Sequence, residues 1–187
     1  MAKKKDYSGP FKPNLKLTDF SSEALANLLV AAGQLYLGAD GMWNTVVRKH
    51  YGDKVAQELS MEVWKSNFKH EVDRPRKAMN IGGNNIETLF KIWQCDPGWA
   101  VMFDINFELS NDGKEGTLTC IRCRTLEYCE RHNDMWLLKH ACEELDGTYI
   151  PASCEYINPK IKCKATILPP RKSPKDIACQ WEFWMEE

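Results

Sequence analysis

The spacing of the apolar residues changes from helical to alternating at the turn-forming sequence Asp96-Pro97-Gly98. Between positions 21 and 95 the apolar residues recur every three or four positions, which is the spacing of one face of a helix. Between positions 99 and 109 they alternate with polar residues, which is the pattern of a strand with one buried face. Helices followed by strands bury their apolar faces when a sheet packs on helices. The sequence therefore predicts an α+β fold.

The N-terminal part is predicted to be helical with breaks at Gly52, at Asp73-Arg74-Pro75 and at Gly82-Gly83. The second helix, from Lys54 to about Val72, has Trp64 and Phe68 on its apolar face. Residues 1–20 contain prolines and lysines and are expected to form an irregular lead-in. Ser21 can cap the first helix, and Gly52 followed by Asp53 is typical of a helix end and a new helix start. The helical region is therefore predicted over 21–95.

The C-terminal part, residues 96–187, is predicted to fold as a cysteine-rich β-β-α-β-β unit. A strand that begins at Trp99 is followed by the turn signal Asn111-Asp112-Gly113 and by a return strand, which is typical of a hairpin. The expected sheet is antiparallel and packs as one domain on the N-terminal helices. The predicted elements are strands over 99–109 and 117–123, a short helix over 126–131, a helix from Asp134 that ends before Gly147, and strands over 161–167 and 177–183.

The overall composition excludes two classes of partner. The 187 residues carry 25 Lys and Arg against 26 Asp and Glu, so no concentrated basic surface for nucleic acid or an anionic membrane is expected. The apolar runs are far shorter than the roughly 20 residues that span a bilayer, and no export signal is recognisable. We therefore expect a cytoplasmic protein that binds a small molecule or a metal. A protein partner or a homo-oligomer stays open.

Seven of the eight cysteines lie in the C-terminal part, after position 119. In a reducing compartment they are expected to be free thiols that pack in the core, bind a metal or react with a ligand. Cys142 lies on the apolar face of its predicted helix, and Cys163 and Cys179 lie on the apolar faces of their strands. These two strands are predicted to pair, with Cys163 opposite Cys179 or Trp181. If the thiols form a metal site, zinc or an iron–sulfur centre is expected on Cys123, Cys142, Cys163 and Cys179.

A nucleophile and a base can be assigned if the protein is an enzyme. His140 has a glutamate four residues later on the same predicted helix, so a carboxylate can orient the imidazole. A buried thiol ionises only beside a group that stabilises its charge, and Arg122 and Arg124 are the nearest cations in sequence. The predicted nucleophile is Cys123 or Cys142, and the predicted base is His140.

Short motifs in the C-terminal part resemble a known group of proteins. Cys123 ends a strand, Cys142 is followed four residues later by Asp146, and the last strand contains Cys179-Gln180-Trp181-Glu182-Phe183. In these motifs the chain resembles proteins similar to L-2-aminothiazoline-4-carboxylate hydrolase, and a related cytosolic family of unknown function from anaerobic bacteria and archaea. A more distant likeness is to vinyl-reductase-type domains, which are small α+β modules with a buried pocket.

The resemblance implies a pocket for a small molecule, and three functions follow from the sequence as a whole. The first is binding of a small molecule or a metal centre in a cysteine-lined pocket. The second is a hydrolase that opens a cyclic C=N or C–S compound by a cysteine nucleophile, and the third is an interaction subunit of an enzyme complex. The residues expected to contact the ligand are Arg122, Arg124, Trp136, Asp146 and Trp181.

Overall fold

The computed structural model describes residues 3–186, so positions 1, 2 and 187 of the predicted ranges lie outside it. The described chain forms helices first and an antiparallel sheet later, which confirms the predicted α+β class. One turn of 3-10 helix, Leu17–Asp19, precedes these elements. The helices are α1 (Ser22–Ala78), α2 (Ile86–Gln94), α3 (Pro97–Met102), α4 (Arg124–His132), α5 (Met135–Lys139) and α6 (Asp146–Ile157), with a π-helical segment (His140–Leu145) between α5 and α6; the strands are β1 (Phe103–Leu109), β2 (Glu115–Cys123), β3 (Ile161–Ile167) and β4 (Cys179–Met185).

Helix α1 follows the sequence prediction at its start and at Gly52, but the break predicted at Asp73-Arg74-Pro75 is wrong, because the helix continues through Pro75 to Ala78. The Ser21 hydroxyl accepts a hydrogen bond from the Ala24 amide at 3.2 Å and so caps the helix. Gly52 has φ 82° and ψ 172°, a conformation that glycine adopts readily, and it kinks the helix at the predicted position. The apolar side chains of the first half are largely exposed, and they include Leu25, Leu28, Leu29, Leu35 and Trp43.

The first strand begins later than the sequence predicts. The residues before Phe103 form α3, so the prediction of a strand from residue 99 is wrong there. The Asp96 carboxylate accepts hydrogen bonds from the amides of Gly98 at 2.7 Å and Trp99 at 3.0 Å. Pro97 occupies the start of the helix, where its missing N–H is not needed. These hydrogen bonds stabilise the start of a helix by more than the apolar alternation favours a strand.

The helix predicted to end before Gly147 continues as α6 to Ile157. The prediction treated Gly147 as a stop, but it lies inside the helix, and nothing would lie within 4 Å of an added Cβ. Tyr149, Ile150 and Cys154 are buried beyond it. Burial of this apolar face stabilises the helix by more than the roughly 1 kcal/mol that a glycine costs inside it.

Four strands form an antiparallel sheet in the order β1-β2-β4-β3. The β1–β2 hairpin and the pairing of β3 with β4 are both confirmed. The predicted register is wrong, because Cys163 lies opposite Phe183 rather than opposite Cys179 or Trp181. A shift of two residues keeps the same side chains on the same face, so apolar alternation does not distinguish these registers. Cys179 lies instead opposite Cys120 of β2.

The core lies between the sheet and helices α2 and α6. Ile86, Leu89, Ile92 and Trp93 of α2 are at most 1% exposed. Helix α1 packs on α2, α3 and α6 rather than on the strands. None of the helices within residues 3–186 combines the length and the apolar character that crossing a membrane requires.

Candidate functional site

A cavity of about 720 Å³ lies between α1 and the helices that follow β2. This volume is in the range of small-molecule sites, which typically measure about 300–1,000 Å³. Its walls come from both halves of α1, from α3, from the start of α4, and from the π-helical segment and α6. The cavity therefore joins side chains that are far apart in sequence.

Cys123 is the last residue of β2 and caps α4 from the cavity wall. Its Sγ accepts a hydrogen bond from the Leu126 amide at 3.4 Å. The Cys120 thiol and the Leu126 and Thr125 amides lower the pKa of Cys123 despite its burial. The Cys120 thiol donates to the Arg122 carbonyl oxygen at 3.2 Å while Cys123 is neutral, and a thiolate at Cys123 would be a stronger acceptor. Cys123 therefore ionises more readily than an ordinary buried thiol.

Cys142 also lines the cavity, from the π-helical segment, but its chemistry differs. Burial raises the pKa of Cys142, and the negative charge of Asp146 raises it further. Cys123 and Cys142 are each 8% exposed, whereas the other three buried cysteines are at most 1% exposed. Of the two predicted nucleophiles, the geometry and the proton affinity favour Cys123.

His140 is held in one orientation. Its Nδ1 is 2.9 Å from Oε2 of Glu144, as the sequence spacing predicts, and the Gln57 amide donates to the same carboxylate. The Trp136 ring stacks on the imidazole at 5.3 Å between centroids, and the Arg48 guanidinium lies 4.2 Å from the Trp136 ring. The imidazole is 2% exposed, and its Nε2 has no hydrogen-bond partner among residues 3–186. If Nδ1–H is donated to Glu144, Nε2 carries a lone pair that can accept a proton.

Another part of the cavity wall carries carboxylic acids. The Tyr36 hydroxyl donates to Oε1 of Glu71 at 2.6 Å, and the Asn67 amide donates to the Tyr36 hydroxyl at 2.8 Å. Burial raises the pKa of Glu71 to about 7, and the negative charge of Asp96 contributes to the rise. Burial also raises the pKa of Asp96. The nearby Tyr149 is 9% exposed, and its hydroxyl has no hydrogen-bond partner in the described part of the chain.

Asp146, the first residue of α6, lines the cavity near Cys123. Burial raises the pKa of Asp146 to about 8, and the negative charge of Cys123 adds to this effect. Asp146 is therefore mostly protonated at neutral pH. A protonated carboxyl can donate a hydrogen bond or a proton to a group in the cavity.

The model of DUF6125, described as a family of unknown function, matches residues 18–185. The chain belongs to DUF6125. No curated protein matches the chain, and no solved structure matches it. The residues matched to DUF6125 extend from before α1 to the end of β4, so they include every described residue that lines the cavity.

Five of the residues predicted for the site line the cavity of this DUF6125 protein, and the others lie elsewhere. Arg122 pairs with Glu127 at 2.6 Å on the surface. Trp136 supports His140 from outside the lining. Trp181 is 4% exposed and lies in the core under the sheet. The predicted residues that the structure brings together are Cys123, Arg124, His140, Cys142 and Asp146.

The structure does not bring the four predicted metal ligands together. Cys123 and Cys142 line the cavity, but Cys163 and Cys179 lie in the sheet outside its lining. Within the described residues, no group of three or more His, Cys, Asp or Glu side chains could hold a metal ion. A structural zinc site takes four such donors, and cysteines hold an iron–sulfur cluster. These side chains therefore fit neither of the expected metal centres.

Three carboxylic acids of the cavity wall, Asp40, Glu71 and Asp96, were not predicted from the sequence. Glu71 follows Trp64 by seven residues and Phe68 by three, so it falls on the apolar face predicted for the second helix. An acid on an apolar face could have identified it, because burial of a lone charge is costly. Asp96 gave no such signal, since Asp-Pro-Gly is typical of an ordinary turn.

Proposed function

We propose that this DUF6125 protein binds a small organic molecule in its cavity and attacks it through the Cys123 thiolate. The proposal depends on one observation: the Cys123 Sγ lies at the start of α4, 3.4 Å from the Leu126 amide, on the cavity wall. Amide groups at a helix start stabilise a thiolate, which is the nucleophilic form of cysteine. His140, whose Nε2 is unpartnered among the described residues, lines the same cavity and supports a role as the base.

The reaction that these groups support best is hydrolysis of a cyclic C=N or C–S compound, as the resemblance to aminothiazoline-carboxylate hydrolase-like proteins implies. The thiolate of Cys123 adds to the carbon of the C=N bond, and the nitrogen takes the proton of Asp146. Water loses a proton to His140 and attacks the same carbon, and the bond to Cys123 breaks. The ring nitrogen leaves with the proton from His140, and the new hydroxyl returns a proton to Asp146. One water molecule is consumed, and the carbon becomes a carbonyl.

A cytoplasmic location belongs to the same proposal. Each of the eight cysteines is a free thiol in the structure. Structural disulfides are typical of oxidising compartments, and reduced thiols are typical of the cytoplasm. A thiolate nucleophile also needs a compartment that keeps it reduced.

Alkylation of the folded chain tests the proposed nucleophile. We expect iodoacetamide to modify Cys123 first, with a rate that rises with pH through a midpoint below the ordinary thiol pKa of about 8.5. Peptide mass spectrometry after short reaction times identifies the modified residue. Modification of Cys142 before Cys123, or a midpoint at the ordinary thiol pKa of about 8.5, would overturn the proposal.

Two variants serve as matched controls for this experiment. Cys142→Ala removes the other thiol on the cavity wall and should leave the fast reaction unchanged. Cys123→Ser should abolish the fast reaction while it keeps an oxygen acceptor for the Leu126 amide at the start of α4. Loss of the fast reaction in both variants would mean that the two thiols do not act independently.

A second candidate function, an interaction subunit, is favoured by the first half of α1. This half exposes apolar side chains, and burial of such a surface drives protein association. Sedimentation velocity of the purified chain and of the double variant Leu28→Glu, Leu35→Glu tests whether a second copy covers it. A dimer that is lost in the variant would count against a partner enzyme on this surface, because a second copy would already cover it, and a monomer at every concentration would leave the surface free for such a partner. The exposed residues are Leu25, Leu28, Leu29, Leu35, Trp43 and Val46.

A further inference from the structure

Acidic side chains outnumber basic side chains around the cavity. Four carboxylic acids line it, of which Asp146 is mostly protonated at neutral pH, and among residues 3–186 no lysine lines it. Arg48 lines the cavity too, but its guanidinium is paired with Asp53 at 3.0 Å and with Asp134 at 2.6 Å, both outside the lining. The remaining charged groups of the lining are Arg124 and, if protonated, His140. The carboxylic acids of the cavity are Asp40, Glu71, Asp96 and Asp146.

Glu71 and Asp96 share their part of the cavity wall with an unpartnered hydroxyl. Burial raises the pKa of Tyr149, and the negative charges of Glu71 and Asp96 raise it further, so both acids lie near its hydroxyl. Tyr149 is 9% exposed, and its hydroxyl lies near Glu71 but makes no hydrogen bond of normal geometry with any of residues 3–186. Buried hydroxyls are normally hydrogen-bonded, so this one is free to bind a polar group in the cavity.

A connected group of aromatic rings lies in the cavity wall beside Glu71. The Trp64 and Tyr149 rings meet edge to face at 6.4 Å between centroids, and Trp99 and Tyr149 lie 6.1 Å apart. Tyr36, which donates its hydroxyl proton to Glu71, lies 6.4 Å from Trp64. All four rings line the cavity. Faces of aromatic rings attract cations, most strongly where water is excluded.

We propose that the ligand of this cavity carries a positive charge, as an organic ammonium or amidinium group, and that this group binds between Glu71 and the rings of Tyr36, Trp64, Trp99 and Tyr149. The Tyr149 hydroxyl oxygen accepts a hydrogen bond from the same group. This inference rests on the proposed function, because it specifies the class of molecule that Cys123 attacks. Burial raises the pKa of Glu71 and the negative charge of Asp96 raises it further, and a bound cation offsets this repulsion.

Three probes of similar size and different charge test the inference: benzylammonium, benzyl alcohol and benzoate. At about pH 8 Glu71 is mostly ionised, because its pKa is about 7. We expect isothermal titration calorimetry to show a Kd for benzylammonium at least about tenfold lower than for either of the other probes. Equal binding of the three, stronger binding of benzoate or benzyl alcohol, or binding of none of them would overturn the inference.

Two glutamate variants locate the charge that selects the probe. Glu71→Gln keeps an oxygen acceptor for the Tyr36 hydroxyl and should remove most of the preference for benzylammonium. Glu62→Gln removes one charge from the exposed surface of the same helix and should leave the preference unchanged. An unchanged preference in Glu71→Gln contradicts the inference. If that variant does not fold, the comparison of the three probes on the unmodified chain still tests whether the cavity prefers a cation.

The two proposals fail in different ways. Calorimetry on Cys123→Ser measures charge preference without the thiol. A preference for benzylammonium in a chain whose Cys123 does not react with iodoacetamide would refute the proposed nucleophile and keep the charged ligand. A reactive Cys123 without any preference for benzylammonium would refute the charged ligand alone.

Discussion

Protonation of the Glu71 carboxyl group makes the stability of the folded chain depend on pH. Burial raises its pKa from 4.5 to about 7, so between these values the folded chain keeps a proton that the unfolded chain has lost. The folded state then binds more protons than the unfolded state. The free energy of unfolding therefore falls as the pH rises from about 4.5 to about 7.

We expect Glu71→Gln to remove this part of the pH dependence, because glutamine does not titrate. Relative to the variant, the natural chain should lose stability as the pH rises through that window, with little further change above it. Urea unfolding at a series of pH values measures the difference. Glu62→Gln, at an exposed position of the same helix, is the control and should follow the natural chain. A gain of stability with rising pH, relative to Glu71→Gln, would contradict the expectation.

Between elements, the contact of α1 with α3 depends on Gly33. A Cβ at this position would overlap the Pro97 carbonyl oxygen and lie 3.1 Å from Cγ2 of Val101. The two backbones can approach this closely only because Gly33 has no side chain. Since α3 carries Trp99 and begins at the cap formed by Asp96, this contact also positions one wall of the cavity.

Alanine substitution separates this contact from ordinary helix propensity. Gly33→Ala should lower the free energy of unfolding by about 1–3 kcal/mol, because backbone atoms must move apart. Gly147→Ala, in α6 with open space around its Cβ position, should raise it by up to about 1 kcal/mol. Urea unfolding of both variants measures these changes. A Gly33→Ala variant as stable as Gly147→Ala would show that α3 can shift without loss.

In the whole molecule, burial is concentrated away from the first half of α1. Helix α2 has Leu89, Ile92 and Trp93 almost completely buried, whereas residues 22–40 contain only two buried residues. Local opening exposes amides most easily where little apolar surface holds a segment in place. We expect hydrogen exchange, followed by mass spectrometry, to be faster in 22–40 than in 86–94. Equal protection of the two segments would contradict this distribution.

The sequence alone determined the features that depend on neighbouring residues. The change from helical spacing to alternation predicted the α+β class, and the Ser21 cap, the kink at Gly52 and the pair of His140 with Glu144 follow the prediction. Each depends on hydrogen bonds or backbone angles within about four residues. The α3 helix was missed although its cap at Asp96 is also local. The apolar alternation from Trp99 favours a strand in the same residues, and the two local signals compete.

The tertiary structure alone decided which side chains share the cavity. Tyr36 and Glu71 are 35 residues apart, and only the antiparallel return of α1 after Gly52 brings the hydroxyl within 2.6 Å of the carboxylate. Apolar alternation predicted the strand that contains Cys163, but not the residue opposite it. Registers that differ by two residues bury the same face, so alternation does not distinguish them. The spacing of apolar residues specifies which face of an element is buried. Which elements meet there depends on packing over the whole chain, since contacts between distant residues form only when loops and helices close around them.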